Sequence, residues 1–236
     1  MEKSIIGYTI KVSRYKENDA IITLLTKDGL ETFKAKSIFK QNNKNAYLVS
    51  LYTKSELKLT YKKEGGNETL IGGSLLSFVK EVYDNLNYSI LFGILSEIAL
   101  RYNGIEFYET FDYIATNINR IDVYSAIIYA LRYLLDKEGV LPVGNECVIC
   151  QSKTNIEYLS FADGGFICHN CNLYNKTTDI KLLKTYHLIY MMDLKKLVKV
   201  VIEKDTALYF IKLMFDYIET STGILLNSSK VFRDLL

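Results

Sequence analysis

The four cysteines are the residues best equipped for chemistry in this chain. All of them fall in one stretch, ECVICQSKTNIEYLSFADGGFICHNC, residues 146–171. They form two CxxC pairs, Cys147/Cys150 and Cys168/Cys171, with 17 residues between the pairs. Thiolates in such an arrangement can hold a metal, exchange disulfides or carry a catalytic zinc. A CxxC on a tight turn aims two sulfurs at one point, and two such turns complete a closed tetrahedral site within the known spacing range of four-cysteine zinc. One structural Zn2+ is therefore the expected cofactor. The competing chemistries lack their other parts. A thioredoxin-like motif needs its CxxC at a helix start in a βαβ context, and the flanking pattern offers none. A zinc deaminase needs HxE ahead of its PCxxC; neither His169 nor His187 is followed two residues later by Glu. A catalytic zinc also keeps an open position, which four cysteines close. The segment carries only Lys153 against Glu146, Glu157 and Asp163, so a structural site is favoured over a DNA-contacting one. His169 reads as a solvent-facing knuckle residue and His187 as a surface or packed histidine.

No other catalytic set is visible. There is no GxxxxGK[ST] and no GxSxG, and Gly65-Gly66 and Gly72-Gly73 read as turn glycines. The chain is expected not to be an enzyme.

The elements that must position the cysteines change character along the chain. Up to about residue 79 the period is that of strands. IIGYTIKVSRY alternates, AIITLLT is an apolar β-branched run, and Asp28-Gly29 is a strong hairpin signal. LETFKAKSI continues the pattern, with Phe33 and Ala35 on one face and Lys34 and Lys36 on the other. YLVSLYTKSELKLTY reads as a further strand or pair, and GGN as a turn before TLIGGSLLSFV. With no room for crossover helices, a small antiparallel barrel or sandwich fits, the five-stranded OB type among them. From residue 85 the period becomes helical: a broad apolar face over 86–102 closed by Asn103-Gly104, then 107–118 and 123–136, and after the cysteines about 178–190, a weaker Val-rich 193–202, and 206–221 stopped by Gly223. Between the cysteine pairs IEYLSFA reads as a strand, Asp163-Gly164-Gly165 as a turn and FIC as the return. The expected organisation is α+β and multidomain: a β unit over 1–80 and a helical bundle over 81–236, with 145–173 as an inserted zinc ribbon.

Net charge is +2, but residues 1–80 carry +6 and residues 81–236 carry −4. A basic first third suggests a module that faces an anionic partner. Lys11, Arg14, Lys34, Lys36, Lys40 and Lys44 are its candidate contacts, interleaved with Tyr8, Tyr15, Phe39 and Tyr47; Phe39 and Tyr47 are candidates for base stacking. MEKSIIGYTI lacks the apolar core of a secretory signal. The longest apolar stretch, Tyr88–Leu100, contains Glu97 and is short of the roughly 20 residues that span a bilayer. A cytoplasmic protein is expected, and a reducing compartment favours metal-bound over disulfide-bonded cysteines.

Four stretches resemble the bacterial RecO family of DNA repair proteins. They are YKENDAIITLLTKDG (15–29), FKAKSIFKQNNKN (33–45), the cysteine segment with GGFICHNC, and YMMDLKKL followed by TGILLNSSKVF near the end. In the second, Lys36, Lys40 and Lys44 match basic positions of the family, while Phe39 stands where arginine is common. The resemblance implies an N-terminal OB-type barrel that binds single- and double-stranded DNA and anneals complementary strands. It implies assistance, with the partner RecR, in loading RecA onto strands covered by single-stranded-DNA-binding protein, and a groove in the helical part for that protein's acidic, apolar tail. It also implies a structural zinc and a nucleoid-associated role. The alternative is a zinc-ribbon module that binds nucleic acid or adapts proteins without annealing.

Overall fold

A computed structural model describes residues 2–60 and 68–234; the turn expected at Gly65-Gly66-Asn67 lies outside them. The chain divides into two compact units, Met1–Thr116 and Asn117–Leu236.

The first unit contains five strands: β1 (Glu2–Arg14), β2 (Ala20–Thr26), β3 (Gly29–Ala35), β4 (Thr53–Thr60) and β5 (Thr69–Phe78). They close in the order β1-β2-β3-β5-β4. The long β1 makes closure possible. Residues 2–8 pair with β4 and residues 8–14 with β2, and a bulge between Thr9 and Lys11 turns the strand between its two partners. The last contact is minimal: β3 meets β5 in parallel through Lys34 and Thr69. Ile22, Leu24, Phe33, Leu57, Leu59 and Leu70 fill the interior. Phe33 and Ala35 point in while Lys34 and Lys36 point out, as the alternation requires. The β2–β3 turn is Lys27-Asp28, and Gly29 opens β3 at φ +125°, a conformation glycine adopts without a Cβ penalty.

Two expectations change here. Residues 46–49 form a single 3-10 turn rather than a strand, because Leu48 and Val49 are drawn into the barrel core. Gly72 and Gly73 are not at a turn; they lie within β5, opposite Lys58 and Leu57.

Three helices complete this unit: α1 (Glu81–Asp84), α2 (Leu86–Ala99) and α3 (Ile105–Thr116). The Asn85 side chain caps α2 by accepting from the Asn87 N–H. A chain of rings binds helices to strands: Tyr8 to Phe111 at 4.9 Å, Phe111 to Phe92 at 5.4 Å, and Phe92 to Tyr52 at 5.2 Å. Burial of each such ring stabilises the fold by about 1.5–3 kcal/mol. These contacts pack α2 and α3 against the strand unit, within the compact unit Met1–Thr116.

The second unit holds α4 (Val123–Lys137), the hairpin β6 (Ile156–Ser160) and β7 (Gly165–Cys168), α5 (Ile180–Tyr190), α6 (Lys204–Thr222) and α7 (Asn227–Arg233). Its core centres on Tyr186, fully buried, whose ring meets Phe161, Phe166 and Phe210 and whose hydroxyl donates to the Pro142 carbonyl at 2.7 Å. Asp122, Asp179 and Glu203 cap α4, α5 and α6. Gly223, at φ +71°, ends α6 in the left-handed region. The Val-rich stretch expected as a weak helix contains only a 3-10 segment, Leu194–Lys199, consistent with stiff β-branched residues crowding a helical turn. Among the described residues, no helix is long and apolar enough to cross a membrane.

Candidate functional site

The four sulfurs converge. The ligand atoms of Cys147, Cys150, Cys168 and Cys171 all lie within 4.8 Å of one another, and Cys150 Sγ is 3.6 Å from Cys168 Sγ. A tetrahedron with Zn–S bonds of about 2.3 Å has sulfur–sulfur edges of about 3.8 Å, so the set fits a zinc ion. Local hydrogen bonds build both knuckles. In the first, the Cys147 carbonyl accepts from the Gln151 N–H and the Cys147 N–H donates to the Ser152 carbonyl, both at 2.8 Å. In the second, the His169 N–H donates to the Asn155 carbonyl at 2.8 Å. β7 delivers Cys168, opposite Ile156 of β6.

Cys147 and Cys168 are buried; Cys150 is exposed. Burial works against a charge on Cys147, but the N–H groups of Cys168, Cys150 and Ile149 outweigh it and hold its thiol down at about 6. The Cys150 thiol hydrogen bond, with burial behind it, pushes Cys171 up to about 12. His169 is largely exposed, with Nδ1 3.3 Å from Glu157, and His187 Nδ1 is 2.7 Å from the Gly144 carbonyl. Both stand apart from the four-sulfur cluster.

In the first unit, two loops are knit beside the strand ends. The Asn18 carbonyl accepts from the Phe39 N–H at 3.1 Å, and Asp19 Oδ1 accepts from the Ser37 N–H at 2.7 Å. Asn43 then donates its side-chain amide to the Ser37 carbonyl at 2.8 Å. This stitching holds Ser37 at φ +53°. It also places the Arg14 guanidinium over the Phe39 ring at 4.8 Å and Lys34 Nζ over the Tyr15 ring at 5.0 Å. Lys16 reaches the same Tyr15 ring at 5.7 Å. Lys36, Lys40 and Lys44 are exposed on the loop after β3, and Lys11 is exposed on β1 opposite Thr23. None of these seven cations has a carboxylate within ion-pair distance among the described residues.

Of the candidate aromatics, Tyr15, Phe39 and Tyr47 are exposed; Tyr15 and Phe39 each carry a candidate cation, and no such contact is present at Tyr47 among the described residues. Tyr8 is 1% exposed, with its hydroxyl donating to Asp112 at 2.9 Å, so it is a core residue. Lys16 was not singled out by the alternation, since it lies beyond the end of β1. Its signal was adjacency to Tyr15, in a loop that follows Arg14.

A groove of about 330 Å³ lies in the second unit. Ile156, Phe166 and Leu183 form its apolar floor, and Lys153, Lys184 and His187 its polar rim. No sequence signal marked it, because its residues come from β6, β7, α5 and the loop ahead of β6.

Residues 1–78 match the family model described as Recombination protein O N terminal. The whole chain aligns with curated proteins named DNA repair protein RecO. It is 22% identical to that of Oceanobacillus iheyensis over 248 aligned positions, covering 100% of this chain and 94% of the relative. It is 23% identical to those of Bacillus cereus and Bacillus anthracis, covering 98% of each. The resemblance read from the four stretches thus extends along the entire chain.

Proposed function

Taking the chain as a member of the RecO family, with a role in DNA repair and recombination, we propose that it is a non-enzymatic mediator that binds single- and double-stranded DNA and anneals complementary strands. The strand order is that expected of an OB-type barrel, and OB units hold single strands through a basic groove with stacking rings. The observation that carries the reading is the knit surface of unpaired cations and exposed rings, Arg14 on Phe39 and Lys34 on Tyr15. Each exposed cation–ring contact is worth about 0.5–1 kcal/mol, and it holds a guanidinium or ammonium where a phosphate can meet it. Phosphate neutralisation needs no bond cleavage, so two strands can be held side by side without nucleotide hydrolysis.

Zinc, bound by Cys147, Cys150, Cys168 and Cys171, supplies structural cross-linking of the two knuckles when present. The knuckles of this chain support the Cys147 thiolate with the backbone N–H groups of Cys168, Cys150 and Ile149. The further steps belong to the same proposal: work with RecR, loading of RecA onto strands coated by single-stranded-DNA-binding protein, and a cytoplasmic, nucleoid-associated location. The groove rimmed by Lys153, Lys184 and His187 has the chemistry to take that binding protein's acidic, apolar tail.

The test is annealing of two complementary oligonucleotides without nucleotide or added metal. Acceleration that Arg14→Ala with Lys34→Ala reduces supports the proposal. Unchanged annealing rates in the presence of the protein overturn it and favour an adaptor role.

A further inference from the structure

β5 has an edge that the barrel leaves unused. Beyond Thr69, among the described residues, it pairs only with β4. Free strand edges present rows of N–H and C=O groups, and proteins ordinarily guard them with charge, proline or short length. This edge carries no charged residue and no proline from Thr69 to Val79. Its apolar side chains are open: Ile71, Leu75, Leu76 and Phe78 are 44, 42, 49 and 45% exposed. Bulges at Ile71 and Leu76 bend the strand, but Gly72 to Leu75 runs in regular register.

We propose that β5 is a self-association edge, through which two copies of this chain pair antiparallel about a two-fold axis at Ser74. That register sets small residues against large ones on both faces of the strand. Gly73 meets Leu75 of the partner subunit, and Gly72 meets Leu76 of the partner subunit. Gly73 has no freedom to grow, since a Cβ there would lie 2.2 Å from the Glu56 carbonyl oxygen. Gly72 has nothing within 4 Å of its Cβ position, which is the open space a leucine from across the axis can enter. The absence of charge fits a copy of the same strand, because any charged residue at the axis would face its own like charge. An isologous pair also closes after two copies, which explains how an unguarded apolar edge can exist without growing into a fibre.

The test uses the full chain in sedimentation velocity across a broad micromolar range, with Gly72→Val and Ser74→Lys. In an isolated chain both should fold. Valine suits a strand and enters open space, and a lysine at position 74 lies opposite Glu56 of β4. In the pair, the valine occupies the place of Leu76 of the partner subunit, and the lysines meet across the axis. The expected result is a dimeric parent and two monomeric variants with unchanged circular dichroism. A parent that stays monomeric at the highest concentration, or a dimer that survives either substitution, overturns the proposal.

Discussion

Tyr8→Phe is the sharpest probe of how the strands and α3 hold together. The ring is 1% exposed and packs on Phe111 at 4.9 Å, and its hydroxyl donates to Asp112 at 2.9 Å. Lys54 is the second donor to the same carboxylate. The substitution keeps the ring and deletes one hydrogen bond to a charged acceptor that retains its other donor. Such bonds are worth about 1.5–3 kcal/mol, so a loss of about 1.5 kcal/mol is expected. For a unit of this size that lowers the melting temperature by about 6 °C. Tyr8→Ala also removes the ring, for a total cost of about 3–5 kcal/mol. Asp112→Ala removes the acceptor that the hydroxyl and the ammonium share and should cost about 3 kcal/mol, more than Tyr8→Phe. Burial works against the charge on Lys54, but Asp112 and Tyr108 outweigh it and raise its pKa. The contribution of this pair is therefore intact below the ordinary lysine value of 10.5 and fades as pH rises through the higher folded value. Guanidinium melts followed by circular dichroism measure all three variants. If Tyr8→Phe matches the parent within about 0.3 kcal/mol and Asp112→Ala costs no more, ring packing alone joins these elements and the hydrogen-bond reasoning is refuted.

Cys147→Ser should lower the melting temperature and abolish zinc retention, since a structural zinc contributes folding energy; metal content and calorimetry check it, and a variant that melts like the parent refutes it. Glu203 accepts from the Thr206 hydroxyl, the Asp205 N–H and Lys181, which hold its carboxyl down at about 2. Its contribution is present above the unfolded value of 4.5 and is lost as pH falls through about 2. Glu203→Ala should therefore flatten the acid limb of the stability curve in thermal melts across that window. An unchanged acid limb contradicts the capping role.

The barrel was legible because strand alternation is local: Phe33 and Ala35 in, Lys34 and Lys36 out, needs nothing beyond neighbours in sequence. The hairpin between the cysteine pairs was legible for the same reason, since two CxxC turns and an Asp-Gly-Gly turn are short-range signals. What failed depended on distant partners. The partners that bury Tyr8 lie far off: the bulge after Thr9 and the arrival of Phe111, a hundred residues on, leave no trace in the local pattern. Residues 46–49 scored as strand on composition, yet the core took Leu48 and Val49 as a plug. Of the six candidate cations, Lys11, Arg14, Lys36, Lys40 and Lys44 are exposed and Lys34 is half-buried, and the loop stitching through Asp19 and Ser37, which sets Arg14 on Phe39, exists only in three dimensions.

The central claim is that the cations around this stitched loop bind DNA phosphates. The most direct measurement is the salt dependence of single-stranded DNA affinity for the parent and for Lys36→Ala/Lys40→Ala/Lys44→Ala. If Lys11, Arg14, Lys34 and these three each neutralise a phosphate, the logarithmic slope should be about −4, falling to about −2 in the triple variant. Equal slopes for the two proteins, or binding indifferent to salt, would contradict the account.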